Sequence, residues 1–340
     1  MTIQFGIMNR GQYNWGDDMQ ARFAELMEQA RLADRLGYDS FMKGSHFSSY
    51  PLHDFNQIAS MGRLTAECPN LRLIAGIVLM PLHKPLDIAE QFANIDLMSG
   101  GKLIFGSGLG YRDVEFQAFG IERKNITRHL EENIIAVRRL WTEQNVNMKG
   151  LGWELVDANV SIKPVQNPPP FWIGANADKA IERAARLVDA WFVSPHNRID
   201  TTQRQLEVYQ RALDAAGKPF PAEFPMMREC CIAPTHEEAM KIAKGYLVHK
   251  YAAYHQWGQD KAMPEGDNNL GQELDELLKD RFLIGSPEEV TEGLVTLGRE
   301  TGVNHVVMSV QWPGMPQNLV LDTMHLLAEE VFPKVRAALG

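Results

Sequence analysis

The chain is poor in cysteine, with three in 340 residues: Cys68, Cys230 and Cys231. Three thiols cannot build a disulfide framework, and the adjacent pair lacks the spacing of a zinc or redox motif, so all three read as core packing. A basic surplus is missing too. Lysine and arginine total 34 against 43 aspartates and glutamates, a formal net charge of −9, which offers no electrostatic footprint for a nucleic-acid backbone. No segment reaches the roughly 18 apolar residues of a membrane-spanning helix. Met1 to Gln12 has no basic stretch followed by an apolar one, as a secretory signal would. Neither nucleic acid nor membrane is expected as a partner, and the expected location is cytoplasmic. His-x-x-x-His, Glu-x-x-His and Cys-x-x-Cys spacings are absent, so no metal is expected. Gly-x-Ser-x-Gly is absent as well, which removes the anchor of a nucleophile-elbow hydrolase.

What is present is an ordinary globular composition, 45% hydrophobic and 23% charged, able to bury a large core. Short β-rich runs alternate with long amphipathic helical patterns, the mark of repeated βα units. Strands are read at Ile3–Met8, Tyr38–Met42, Leu71–Leu79, Lys102–Ser107, Phe171–Gly174, Ala190–Ser194, Met226–Ala233 and Asn304–Val310. Helices are read at Asp18–Leu36, Pro85–Met98, Arg128–Trp141, Ala177–Leu187, Thr201–Ala216, Glu237–Tyr254 and Pro287–Glu300. Gly37 ends the first, while Ser286 caps the last ahead of Pro287 and two acids, and Gly302 closes it. At about 150 residues per domain the length allows two, yet α/β barrels of this size fold as one. A single (β/α)8 TIM barrel over 1–340 is therefore expected, with a doubly wound sheet as the second reading, weakened because no nucleotide fingerprint follows the first strand. Two stretches exceed the minimal barrel: an insertion at about 142–170, with a hairpin around Trp153–Ile162, and a polar stretch at about 256–280, read as a mobile lid loop.

Active sites of this fold lie at the carboxyl ends of the strands. Residues there are mostly small, apolar or aromatic, which suits a flat conjugated ligand. Carboxylates are nearly absent from that rim, which disfavours a two-metal hydrolase or a glycosidase. Gly106-Ser107-Gly108-Leu109-Gly110 would let backbone approach a ligand. Gly174-Ala175-Asn176-Ala177 leads into a helix whose first amides could hold a phosphate. Both segments read equally well as tight βα turns. His46, in a Gly-Ser context after the second strand, is a candidate acid, base or hydrogen-bond donor, with a purely structural histidine as the alternative. His83 and His196 read as pocket lining, His249 and His255 as surface, and Trp153, Trp172, Trp191 and Trp312 as core.

Longer stretches carry a resemblance. Ala30–Ser40 leads to His46-Phe47; Pro81–Pro85, Ala89–Gln91, Asp96–Leu103, Gly106–Phe116, Phe119-Gly120, Arg128, Glu131 and Trp141 follow. Pro168–Ala175, Ala184–Arg186, Asp189–Trp191, Gly285–Glu288 and Val331–Pro333 continue the series. In this order they resemble the bacterial luciferase-like flavin monooxygenases, a TIM-barrel family that includes deazaflavin-dependent oxidoreductases. The resemblance implies reduced FMN at the barrel mouth, reacting with O2 to give a flavin peroxide that oxidises a small, moderately apolar organic substrate. It further implies a separate flavin reductase and a homodimer formed through helices flanking the early strands. The alternatives are hydride transfer with a deazaflavin coenzyme and a flavin-binding protein without catalysis. A non-prolyl cis peptide is implied at Gly76-Ile77, and cofactor contacts at Met8, Gly44, Gly108, Leu109, Gly110, Tyr111, Asn176, Ala177 and Ser194, with His46 catalytic. Two positions depart from the luciferases. Ser45-His46 replaces a pair of histidines, and Leu109 replaces a phosphate-binding arginine, with Arg112 nearby. Tyr13, Trp15 and Tyr50 are placed on loops able to close over the substrate.

Overall fold

Strands of a parallel barrel are covered on both faces, so their residues are apolar almost without alternation. The computed structural model describes residues 2–264, 267–270, 277–278 and 281–340. Eight strands form the barrel: β1 Gln4–Asn9, β2 Ser40–Lys43, β3 Arg72–Leu79, β4 Leu103–Gly108, β5 Phe171–Ala175, β6 Ala190–Val193, β7 Pro225–Ile232 and β8 His305–Ser309. Every residue of β2, β6, β7 and β8 is buried. Pairing is parallel and sequential, and Gln4 of β1 lies opposite His305 of β8, which closes the cylinder. Closure overturns the doubly wound alternative, because none of these eight strands is left at an edge.

The helices are α1 Met19–Arg35, α2 Gln57–Glu67, α3 Pro85–Met98, α4 Asp113–Ala118, α5 Ile126–Thr142, α6 Asp178–Leu187, α7 Ile199–Ala215, α8 His236–Gln256, α9 Pro287–Thr301, α10 Gln317–Leu326 and α11 Phe332–Leu339. Local signals set their ends as expected. Asp18 accepts the amides of Gln20 and Ala21 at the start of α1. Ser286 and Glu289 form a reciprocal capping box on α9, which Gly302 ends at φ +72°, a left-handed conformation that glycine adopts without a steric penalty. The insertion holds a hairpin of Val146–Gly150 and Trp153–Ala158. It starts earlier than the expected span because Gly152, at φ +77°, supplies a turn directly before Trp153, which leaves Trp153 to open the second strand. A second ribbon, Gln12–Asn14 against Leu52–Asp54, was not foreseen. Much of the anticipated lid lies outside the described residues; Gln259–Ala262 within it forms a short 3-10 turn.

Trp172, Trp191 and Trp312 are buried, as are all three cysteines. Inside the barrel, Met8, Met42, Ile74, Ile104, Trp172, Phe192, Met227 and Val307 pack into a plug, so the barrel is solid and any ligand must sit above it. No helix among the described residues is long and apolar enough to cross a membrane.

Candidate active site

Above the plug, the carboxyl ends of the strands surround a cavity of about 350 Å³, within the range of small-ligand sites. One wall is apolar, made by Ile77, Leu79, Leu109, Ala175, Phe192 and Met227. Elsewhere bare backbone borders the space at Gly44, Gly76, Gly110 and Gly174. Gly106 of β4 is sterically required, since a Cβ there would lie 2.4 Å from the Ala75 carbonyl oxygen, whereas one on Gly108 would meet the movable end of the Ile77 side chain at 2.2 Å. The Gly76–Ile77 peptide is cis, at the position the resemblance implied. Asn176 and Ala177 border the cavity where α6 begins with no side-chain cap, an arrangement that leaves helix amides available to an anion. An apolar wall, stripped backbone and a helix N-terminus together fit a flavin ring with a phosphate.

His46 enters from the loop after β2. Its Nδ1 lies 3.0 Å from Glu115 Oε1 on α4, and the same oxygen accepts the Phe47 amide at 2.9 Å. Arg112 ties this loop further, donating to the carbonyls of Phe47 at 2.8 Å and Ser48 at 3.0 Å. Glu115 is fully buried and its other oxygen has no partner. A carboxylate acceptor assigns the proton of the neutral ring to Nδ1, which leaves Nε2 as an acceptor.

A second polar cluster reaches the cavity through Arg10, Asp54 and His196. Glu229 of β7 is completely buried and accepts from Lys250 Nζ, from Trp312 Nε1 at 2.7 Å and from Arg10 at 3.3 Å. Burial alone would raise its pKa, but Lys250 and Arg10 outweigh that and hold it at about 2. Burial also pulls Lys250 down to about 7. His196 receives a hydrogen bond from Gln259 at Nε2 and lies 3.1 Å from the Tyr251 hydroxyl through Nδ1. Burial keeps its pKa well below the ordinary histidine value, so the ring is neutral. Lys43 donates to the Arg10 and Gly44 carbonyls at 2.7 and 2.9 Å and pairs with Asp54 at 3.2 Å.

The expectation of a rim almost free of carboxylates holds for the lining, where Asp54 is the one carboxylate among the described residues, and two more stand behind it. Glu229 sits within a strand rather than after it, Asp54 comes from the unforeseen ribbon, and Glu115 from a helix. Position after a strand was therefore too narrow a criterion. Among the described residues, no three metal-ligating side chains converge. Of the anticipated site residues, His46, Gly44, Gly76, Ile77, Leu109, Gly110, Tyr111, Asn176, Ala177 and Ser194 line the cavity. Met8 lies in the plug below, and Gly108 stands behind Ile77. His196 lines the cavity, whereas His83 does not; it packs beside Phe47 and Phe119. Trp15 and Tyr50 are exposed and pack edge to face on each other, away from the lining. Gln12, Asp54, Tyr254 and Gln259 line the cavity unforeseen, as does Arg10 in the place expected of a residue directly after the first strand.

This architecture is shared. Residues 3–305 match the model of the luciferase-like monooxygenase family. An F420-dependent glucose-6-phosphate dehydrogenase of Amycolatopsis mediterranei is 27% identical over 324 residues, 92% of this chain and 95% of the relative. An FMNH(2)-dependent dimethylsulfone monooxygenase of Pseudomonas putida is 26% identical over 300 residues, 84% and 80% of the two chains. The crystal structure of the monooxygenase RslO1 from Streptomyces bottropensis superposes with a TM-score of 0.82 at 25% identity, covering 97% of this chain and 99% of that one. With the closed barrel and a match spanning residues 3–305, the chain is an enzyme of the luciferase-like monooxygenase family.

Proposed function

We propose that this enzyme is the oxygenase component of a two-component monooxygenase. It takes reduced FMN from a separate reductase and uses O2 to oxidise a small, largely apolar organic substrate. The observation that carries FMN over a deazaflavin coenzyme is the charge inventory where α6 begins. Arg204 is paired with Asp178 at 2.9 Å and Arg183 with Glu131 at 2.7 Å, which leaves exposed Lys179 in that first turn. One helix N-terminus and one ammonium suit a single phosphate. The longer anionic tail of a deazaflavin coenzyme would ask for more cations. The names of the Pseudomonas putida relative and of the RslO1 structure support the same reading.

Reduced FMN, when bound, would supply the electrons that activate O2. Gly44, Gly76, Ile77, Leu109, Gly110, Tyr111 and Ser194 would border its ring, with Gly108 behind Ile77 and Met8 supporting Gly44 from below, and Asn176 and Ala177 would meet its phosphate. His46, held through Nδ1 by Glu115, would offer Nε2 to take or hold a proton beside the ring. The apolar wall and the segment at 256–264 would exclude water, which strengthens that hydrogen bond.

Anaerobic titration with reduced FMN and with reduced deazaflavin coenzyme, followed by air, tests this. Preferential FMN binding with O2 uptake that depends on the reductase is the expected result. Preference for the deazaflavin without O2 uptake would overturn it in favour of hydride transfer, the chemistry that the name of the Amycolatopsis mediterranei relative suggests for that protein.

A further inference from the structure

Resting on that reading, we propose that the substrate is a small organic carboxylate whose acid group binds the Arg10 guanidinium and the Tyr111 hydroxyl. Arg10 is the one arginine or lysine among the described residues lining the cavity, and only 14% of its side chain is exposed. It is not consumed by its neighbours. Its contact with Glu229 is a single one of 3.3 Å, and Glu229 already has Lys250 and Trp312. Arg10 Nε is buried and has no acceptor. The ring of Tyr254 lies 5.8 Å from the guanidinium and braces it, while the Tyr254 hydroxyl is spent on Gln12 at 3.1 Å.

Tyr111 completes the pair. It lines the same cavity, its hydroxyl is buried, and that hydroxyl too has no partner. Burial pushes the phenol well above its ordinary pKa, so it stays a donor. Native proteins seldom leave buried donors unmade, and two that share one cavity call for an acceptor from the ligand.

The charges around them set its sign. Arg10, Lys250 and Lys43 stand against two carboxylates, Glu229 and Asp54, a positive surplus that is complete below the Lys250 pKa of about 7. Asp54 also has a buried oxygen without a partner; it repels an acid placed beside it and suits a hydroxyl or amine elsewhere on the substrate. A planar guanidinium matches a carboxylate in shape as well as charge.

The test needs no flavin, so its outcome is separate from the cofactor question. Benzoate, hexanoate and cyclohexanecarboxylate are titrated calorimetrically into the purified full chain, each against its uncharged amide. At least one acid is expected to bind about ten-fold or more tightly than its amide, a preference that Arg10→Gln abolishes and Tyr111→Phe reduces several-fold. If Arg10→Gln lowers the melting temperature, Tyr111→Phe, which removes only an oxygen, decides alone. Acids that bind no better than their amides overturn the proposal, as does a preference that survives Tyr111→Phe unchanged. A carboxylate preference in a protein that selects deazaflavin would sink the FMN reading and keep this one.

Discussion

His46 meets the cavity with one ring nitrogen already engaged by a buried carboxylate, and that pairing decides what the other nitrogen can do. His46→Ala should lower turnover by about 10²- to 10⁴-fold, the usual worth of a positioned acid or base. Flavin affinity should change far less, and the two are read from steady-state rates and flavin titration on the same preparation. Equal losses in both would remove the role. Glu115→Gln, which keeps shape but releases the charge that orients the ring, should give a smaller loss of turnover at unchanged flavin affinity. The place of His46 at the cavity was legible in the sequence because it directly follows a strand in a glycine and serine context, although a structural histidine reads equally from that pattern. Glu115 was not, since it stands 69 positions away and only the packing of α4 against the β2 loop brings it near.

Among elements, the β3–β4 pair governs the shape of the site. Its register shifts between Ala75 and Val78, and Gly106 is where the two backbones come too close for any side chain. Gly106→Ala should therefore destabilise the fold by about 1–3 kcal/mol, as overpacking does. Gly245 is the control. It lies inside α8, and a methyl group added there would meet nothing within 4 Å, so Gly245→Ala should stabilise by about 0.5–1 kcal/mol. Thermal unfolding of both variants checks the contrast, and a destabilised Gly245→Ala with an unaffected Gly106→Ala would refute it. The regular elements were readable because their burial repeats with the strand and helix periods. The Gln12–Asn14 ribbon was not, because three-residue strands have no period of their own and exist through long-range pairing.

At the scale of the whole molecule, the amino-terminal end of the barrel is tied by a polar cluster far from the cavity. His305 of β8 bridges Ser40 of β2 and Glu223, each at 2.7 Å, and Arg72 of β3 pairs with Glu223. Burial works to raise the Glu223 pKa, but His305 and Arg72 overcome it and bring it from 4.5 to about 2. A lowered carboxylate contributes stability that is complete above its unfolded value and is lost as pH falls through its folded one. The window is thus pH 4.5 to about 2, and the effect is on the order of 3 kcal/mol. Glu223→Gln should flatten the acid limb of melting temperature against pH; an unchanged slope would assign acid sensitivity elsewhere.

The sequence by itself determined the eight βα units, most helix ends and the small, apolar residues that follow the strands, because burial periodicity, caps and turn glycines act within a few residues. Only the tertiary structure decided the closure of β1 on β8 and the charged cluster of Arg10, Glu229 and Lys250. Arg10 and Glu229 are 219 positions apart, and nothing local encodes such a pair. Charges repay burial only when their partners arrive, and it is barrel closure that brings them together.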